Sequence, residues 1–79
     1  MRREAVFVVQ TYRRRDGQMI KAVTMKFTSA SEAEDVAMAL QGNFPAVLIY
    51  SATIMVVDES MDDVELFETY GDCSEILAA

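Results

Sequence analysis

The chain has 79 residues, of which 52% are hydrophobic and 25% charged. This composition excludes a disordered protein and predicts one small domain over residues 1–79. Cys73 is the only cysteine, so a disulfide scaffold is excluded, and no segment approaches the roughly 20 apolar residues of a membrane helix. We therefore expect a cytoplasmic protein with no membrane partner.

The net charge of -6 is unevenly distributed along the chain. Seven basic and two acidic residues give the first 28 residues a charge of +5, whereas eleven acids and no base give the rest -11. If the fold keeps these parts on different surfaces, the charge favours complementary self-association or a charged partner. If the strands interleave, the charges pair across the sheet instead.

The first elements predicted are two strands of a β-hairpin, at Ala5–Tyr12 and Met19–Phe27. A three-residue loop, Arg15–Gly17, would pair Arg14 with Gln18 and Phe7 with Met25, and a two-residue loop would shift this register by one. We favour the longer loop because it places one apolar set on a single face. That set is Ala5, Phe7, Val9, Val23, Met25 and Phe27.

A helix follows the hairpin. Ser29 and Glu32, like Ser31 and Glu34, have the spacing of a capping box at a helix start. Small apolar residues then recur at helical spacing, which predicts a helix lying close on a sheet and ending at Gly42. These residues are Ala33, Val36, Ala37 and Leu40.

The last third of the chain predicts a second pair of strands. Ala46–Val57 is almost wholly apolar and rich in β-branched residues, as in a central strand buried on both faces. An acidic connection, Asp58–Asp63, leads to Val64–Tyr70, which fits either a strand or a helix. We choose the strand because Gly71 closes it and the central strand needs a hairpin partner. One short helical turn completes the chain between Cys73 and Ala78.

The predicted fold class is α+β in two layers, a four-stranded, mainly antiparallel β-β-α-β-β sheet in spatial order 2-1-3-4. One helix covers one face, and a short C-terminal helical turn follows. The opposite face, with Val6, Val8 and Ile20, then needs a cover, and a two-fold homodimer is the simplest one. The alternatives are that Ile76 and Leu77 fold over this face, or that another protein binds there.

Three segments carry a resemblance to known proteins: Gln10–Gly17, the Ser-x-x-Glu helix start, and Tyr70-Gly71-Asp72. Together they resemble a group of small bacterial proteins of unassigned activity, built from a basic hairpin, a helix and a second hairpin. The resemblance implies the same β-β-α-β-β order and no particular chemistry. The Gly-rich connection usual in that group is replaced here by Asp58–Asp63.

Residues that support catalysis are scarce in this sequence. There is no histidine, so neither a Ser/His nor a Cys/His nucleophile pair can be built. Ser51 lacks a glycine-flanked elbow, and an acid precedes Cys73, which opposes a reactive thiolate. We therefore predict a protein that is not an enzyme and has no cofactor. The carboxylates of Asp58–Asp63 lack the glycine and distal glutamate of a calcium loop, so no metal site is predicted.

Nucleic acid is the alternative partner. Tyr12 beside Arg13, Arg14 and Arg15 could present a stacking ring and phosphate contacts at the hairpin tip. The overall negative charge opposes this interpretation. The sequence thus predicts an interaction or accessory module, a homodimer or a partner of another protein, with Val6, Val8 and Ile20 at the subunit contact.

Overall fold

The computed structural model describes residues 3–78 and has the predicted α+β fold. The elements are β1 Arg3–Arg15, β2 Gln18–Phe27, α1 Ala30–Leu40, β3 Ala46–Met55, β4 Met61–Gly71 and α2 Ser74–Leu77. All neighbouring strands are antiparallel, in the predicted spatial order β2-β1-β3-β4. β1 and β3 are therefore central, and β2 and β4 form the two edges of the sheet.

Helix α1 covers one face of the sheet. The Ser29 hydroxyl accepts a hydrogen bond of 3.3 Å from the Glu32 amide, so Ser29 is the N-cap, as its spacing from Glu32 predicts. Ala33 and Ala37 are completely buried, and these small side chains let the helix lie close to the sheet. They form a core cluster with Val9, Val47 and Ile49.

The register predicted for the first hairpin is wrong. Arg15, not Arg14, pairs with Gln18, and the two-residue turn Asp16-Gly17 has both φ angles positive, at 51° and 79°. A bulge in β2 opposite Thr11 then shifts the pairing by one, so that Phe7 lies opposite Phe27. Beyond the bulge, the one-residue shift from the turn and the one-residue shift from the bulge add up to two, so Met25 and Phe27 stay on the same face as Phe7 and Val9, as predicted.

Two buried polar residues of β1 stabilise this bulge. The Gln10 amide group donates to the Val23 carbonyl at 3.1 Å, and the Thr11 hydroxyl accepts from the Val23 amide at 2.9 Å. The Thr24 hydroxyl donates to the Gln10 side-chain oxygen. These bonds satisfy backbone groups that the interrupted ladder leaves unpaired, and they fix the register of the edge strand β2.

The prediction that the segment from Val64 to Tyr70 is a strand is confirmed, as part of β4. β4 ends at Gly71, whose φ is +78°. A Cβ atom at this position would lie 2.4 Å from the Pro45 carbonyl oxygen, so both the backbone conformation and the close approach require glycine. The Asp72 amide donates to the same oxygen at 3.0 Å, which closes this end of the sheet.

Candidate interaction surface

We call the face of the sheet opposite α1 the open face. Its centre is built by residues of β1 and β3 that pair directly across the sheet, Val6 with Ala52 and Val8 with Tyr50. Side chains alternate between faces along a strand, so these residues point away from α1 and its cluster around Val9. Both central strands are thus apolar on two faces, although α1 covers only one of them.

The exposed apolar side chains of the open face lie on β4 rather than at its centre. Val6 and Val8, the predicted contact residues, are only 5% and 8% exposed, and Val6 packs with Ala52 and Ile54. Met61, Val64 and Leu66 are 43%, 55% and 45% exposed. We call these three residues the apolar stripe. A partner on this face would contact the stripe first and the two valines beneath it only in part.

The open face is concave and contains a cleft of about 410 Å³. Its floor comes from β1 and β3, one wall from Lys21 and Thr24 of β2, and the other from Met61 and Val64 of β4. The lining is mainly apolar, which is typical of a surface that binds another molecule. The floor residues are Val8, Gln10, Tyr12, Tyr50 and Ala52.

Helix α2 covers one end of the open face. Ile76 packs on a cluster that includes Tyr12 and Leu48, and the Glu75 carboxylate accepts a hydrogen bond of 3.2 Å from the Met19 amide. Leu77 is half exposed. The alternative cover predicted from the sequence is therefore found in part: Ile76 protects the end near the β1–β2 turn, and the apolar stripe stays exposed.

The four residues predicted to bind a polar ligand do not form one surface. Tyr12 is buried in the cluster under α2, and burial together with the neighbouring Tyr50 hydroxyl raises its pKa. Arg13 lies over the Phe44 ring, 5.6 Å from its centroid, on the helix side of the sheet. Arg14 points to the other side and pairs with Glu75 at 3.5 Å. Arg15 is exposed.

The expectation that Ile20 shares the open face with Val6 and Val8 is wrong. In the two-residue register Ile20 pairs with Arg13, so it lies on the side of the sheet that carries α1. The predicted three-residue loop would have placed Ile20 on the opposite side. The error in the turn is thus the cause of the error in the face.

The other residues considered for chemistry are not assembled into a site. The Cys73 thiol is buried and directed at the Tyr70 carbonyl oxygen, 3.2 Å away. In the acidic connection, hydrogen bonds from the Ser60 amide and hydroxyl lower the pKa of Asp58. Within residues 3–78, no three metal-ligating side chains are grouped so as to hold an ion.

The two edges of the sheet carry opposite charge. β2 has two lysines and no acid, whereas β4 has four acids and no base. The uneven charge along the sequence thus becomes a separation across the sheet. The charged residues are Lys21 and Lys26 on β2, and Asp62, Asp63, Glu65 and Glu68 on β4.

One acidic pair joins α1 to β4. The Glu68 carboxylate raises the pKa of Glu34, because each negative charge disfavours the other. Glu68 also accepts a hydrogen bond from the Tyr70 hydroxyl, and this bond is the main reason that the pKa of Tyr70 rises to about 12. The carboxylates of Glu34 and Glu68 therefore repel each other, and this repulsion opposes the packing of α1 at this point.

No family model, curated protein or solved structure matches this chain. Neither helix in the described part of the chain is long and apolar enough to span a membrane. The resemblance to small bacterial β-β-α-β-β proteins stays a prediction.

Proposed function

We propose that this protein is a small, non-enzymatic interaction module that forms a homodimer through its open face. This proposal rests on the apolar stripe of Met61, Val64 and Leu66, which is exposed beside a concave apolar cleft. Large exposed apolar patches are uncommon on monomeric proteins and mark interaction surfaces. In the cytoplasm, a bacterial protein of this kind would act as an accessory to a larger system.

A second copy of the chain is the occupant that the surface fits best. Four strands about 4.8 Å apart, and about ten residues long at about 3.4 Å per residue, offer roughly 600 Å² per subunit. Doubled, this area reaches the lower range of stable protein interfaces, about 1,200 Å². A two-fold axis also brings the stripe of one subunit onto the same apolar face of the other, so no further partner is required.

Two-fold association through the strand edges is less favourable than association through the open face. Two copies of β2 side by side would bring four lysines together, and two copies of β4 would bring eight acids together. Both edge strands are also interrupted by bulges, which weaken pairing with another strand. At the centre of the open face, the stretch from Val6 to Tyr12 pairs with β3 without a bulge and carries no charged residue.

The basic hairpin does not support nucleic-acid binding as a second function. A stacking surface needs an exposed aromatic ring, and Tyr12 is 7% exposed. Arg13 and Arg14 point to opposite sides of the sheet, so the tip does not present one basic patch.

The test is the solution mass, measured by light scattering on a sizing column at low micromolar concentration and near-physiological salt. We expect about twice the monomer mass of 8.8 kDa. Val64→Glu or Leu66→Glu should reduce the mass to that of a monomer, because the change buries an unpaired charge in the contact.

The matched control is Met38→Glu. Met38 is 58% exposed on α1, away from the open face, so this variant should stay dimeric. Circular dichroism of all variants checks that the fold is kept. A monomeric parent chain, or a Leu66→Glu variant that folds and stays dimeric, would overturn the proposal.

A further inference from the structure

We infer that the cleft of the open face binds a single-chain amphipathic carboxylate, of the chemical class of a medium-chain fatty acid. The carboxylate lies at the Lys21 end of the cleft, and the alkyl chain runs along the strands towards Met61. This inference goes beyond the proposed homodimer, because one chain forms the whole cleft.

The shape of the cleft favours an elongated ligand. Its floor extends from Tyr12 to Ala52, and Ala52 pairs with Val6 across the sheet. Val6 and Tyr12 are six positions apart on β1, which is about 20 Å at about 3.4 Å per residue. The volume of about 410 Å³ lies within the range of about 300–1,000 Å³ that is usual for ligand sites.

The polarity of the lining changes from one end of the cleft to the other. Lys21 pairs with Tyr12 at one end, so the ammonium group and the phenol belong to the same row of the sheet. The other end is lined by Ala52, Met61 and Val64, which are all apolar. A ligand that fits both ends is therefore polar at its head and apolar along its length.

The polar end of the cleft offers hydrogen-bond donors. The Gln10 side chain and the Thr24 hydroxyl are already bonded to each other, and Gln10 also donates to the Val23 carbonyl. The Tyr12 and Tyr50 hydroxyls share one hydrogen bond, so their second proton is left to donate to a ligand. With the Lys21 ammonium, this makes two donors for one carboxylate.

The charge around the cleft also favours an anion. Lys21 is the only charged residue in the lining, and no ion pair of Lys21 is formed within residues 3–78. Glu75, at the α2 end of the open face, is paired with Arg14 at 3.5 Å. The β4 acids at Asp62, Glu65 and Glu68 pair with Thr53, Ser51 and Ile49 and so lie on the face that α1 covers.

The ligand and the second copy of the chain are compatible on this face. Met61 and Val64 form a wall of the cleft and also belong to the apolar stripe. Ile76 of α2 packs on Tyr12 and closes the polar end. A second copy that contacts the stripe would therefore cover the cleft with its ligand inside.

The experiment is isothermal titration calorimetry with dodecanoate below its micelle concentration. Dodecyltrimethylammonium is the matched probe, because it has the same alkyl chain and the opposite charge. We expect one dodecanoate per chain and an affinity at least about tenfold higher than that of the cation, since hydrogen bonds to charged groups are strong. Circular dichroism with each probe at saturation checks that the fold is kept.

Two lysine variants locate the head of the ligand. Lys21→Met keeps an apolar stem and removes the charge, so it should weaken dodecanoate binding about tenfold. Lys26→Met is the matched control, because Lys26 is also exposed on β2, opposite Val8, but does not line the cleft. It should change the affinity by less than about twofold.

A third variant, Ala52→Leu, locates the alkyl chain. The larger side chain fills the apolar end of the cleft, so a folded Ala52→Leu protein should bind dodecanoate about tenfold more weakly.

Three results would overturn the inference: no binding of dodecanoate, equal affinity for the two probes, or equal weakening by Lys21→Met and Lys26→Met. Light scattering on the same samples separates this failure from that of the proposed function. A dimer that binds no dodecanoate overturns only the inference, whereas a monomer that binds it overturns only the homodimer.

Discussion

The two faces of this sheet are built from the same strands and end in different environments. On the helix side, Val9 and Ile49 are completely buried under the small residues Ala33 and Ala37. On the open face, the neighbouring positions of β1 and β3 are just as apolar, but their cover is limited to Ile76 at one end. A central strand that is apolar on both faces therefore indicates that both faces are packed against something, even where the chain supplies a helix for only one of them.

We therefore expect that truncating a side chain to alanine lowers the free energy of unfolding by different amounts on the two faces. Ile49→Ala should lower the free energy of unfolding by about 2–5 kcal/mol, because it leaves a cavity in a closed core. Leu66→Ala, on the open face, should lower the stability of the single chain by less than about 1 kcal/mol. Urea unfolding followed by circular dichroism, at two or more protein concentrations, measures both changes.

The concentration series provides the control for this prediction. In the parent chain and in Ile49→Ala, stability should increase with protein concentration, since the proposed dimerisation would add to it. In Leu66→Ala this dependence should weaken. A Leu66→Ala variant as unstable as Ile49→Ala would mean that the open face is already a closed core in the single chain.

At the end of the open face that α2 covers, we expect a substitution to have a destabilising effect of intermediate size. Ile76→Ala should destabilise the docking of α2 by about 1–2 kcal/mol, because Ile76 packs on the cluster that contains Tyr12 and Cys73. Cys73 is buried and so reports this docking directly. Its reaction with an aromatic disulfide reagent should become about tenfold faster.

Leu77→Ala is the matched control for this second prediction, because Leu77 is half exposed and lies in the same helix. Its thiol reaction rate should equal that of the parent chain. Equal acceleration in both variants would mean that any weakening of α2 exposes the thiol, and that Ile76 is not the anchor.

The order of the elements could be predicted from the sequence because each has a local signal. Ser29 and Glu32 mark the helix start, Asp16-Gly17 marks the turn, and Gly71 ends the last strand. These signals depend on backbone conformation within a few residues. The antiparallel order β2-β1-β3-β4 follows from them, since it centres the two most apolar strands.

The face on which each edge-strand residue lies could not be predicted in the same way. Bulges in β2 and β4 move side chains from one face to the other, and no local sequence motif predicts these bulges. Ile20 lies between the turn and the bulge of β2, so its predicted face is wrong because the turn has two residues and not three. Met61 lies within the predicted acidic connection Asp58–Asp63 but begins β4 in the structure, so it is absent from the predicted contact residues.

The residues predicted to bind a polar ligand at the hairpin tip are a second case in which the sequence did not predict the surface. Consecutive residues on a strand point to opposite faces, so Tyr12, Arg13 and Arg14 cannot form one patch unless the strand ends before them. β1 continues to Arg15. The period-two rule could have separated the two arginines, but the burial of Tyr12 depends on α2, whose position no local pattern indicates.

The smallest predicted effect concerns the acidic pair between α1 and β4, on the covered face. The pKa of Glu34 is raised in the folded chain, chiefly by Glu68 and to a smaller degree by Asp35, so the folded state binds this proton more tightly than the unfolded chain does. The contribution of Glu34 to stability is therefore highest below its ordinary pKa of 4.5 and falls as the pH rises through the raised value. Glu34→Gln removes this repulsion at neutral pH.

We expect Glu34→Gln to raise the melting temperature at pH 7 and to have little effect near pH 3, where the carboxyl is protonated in both states. Glu65→Gln, which removes a carboxylate from the same strand as Glu68, is the control, and the rise in melting temperature at pH 7 should be larger for Glu34→Gln. An equal rise at both pH values would assign the effect to helix propensity instead of charge. Because the pair lies on the side of the sheet that α1 covers, the mass of the proposed homodimer should stay unchanged in Glu34→Gln, whereas Val64→Glu or Leu66→Glu should reduce it to that of a monomer.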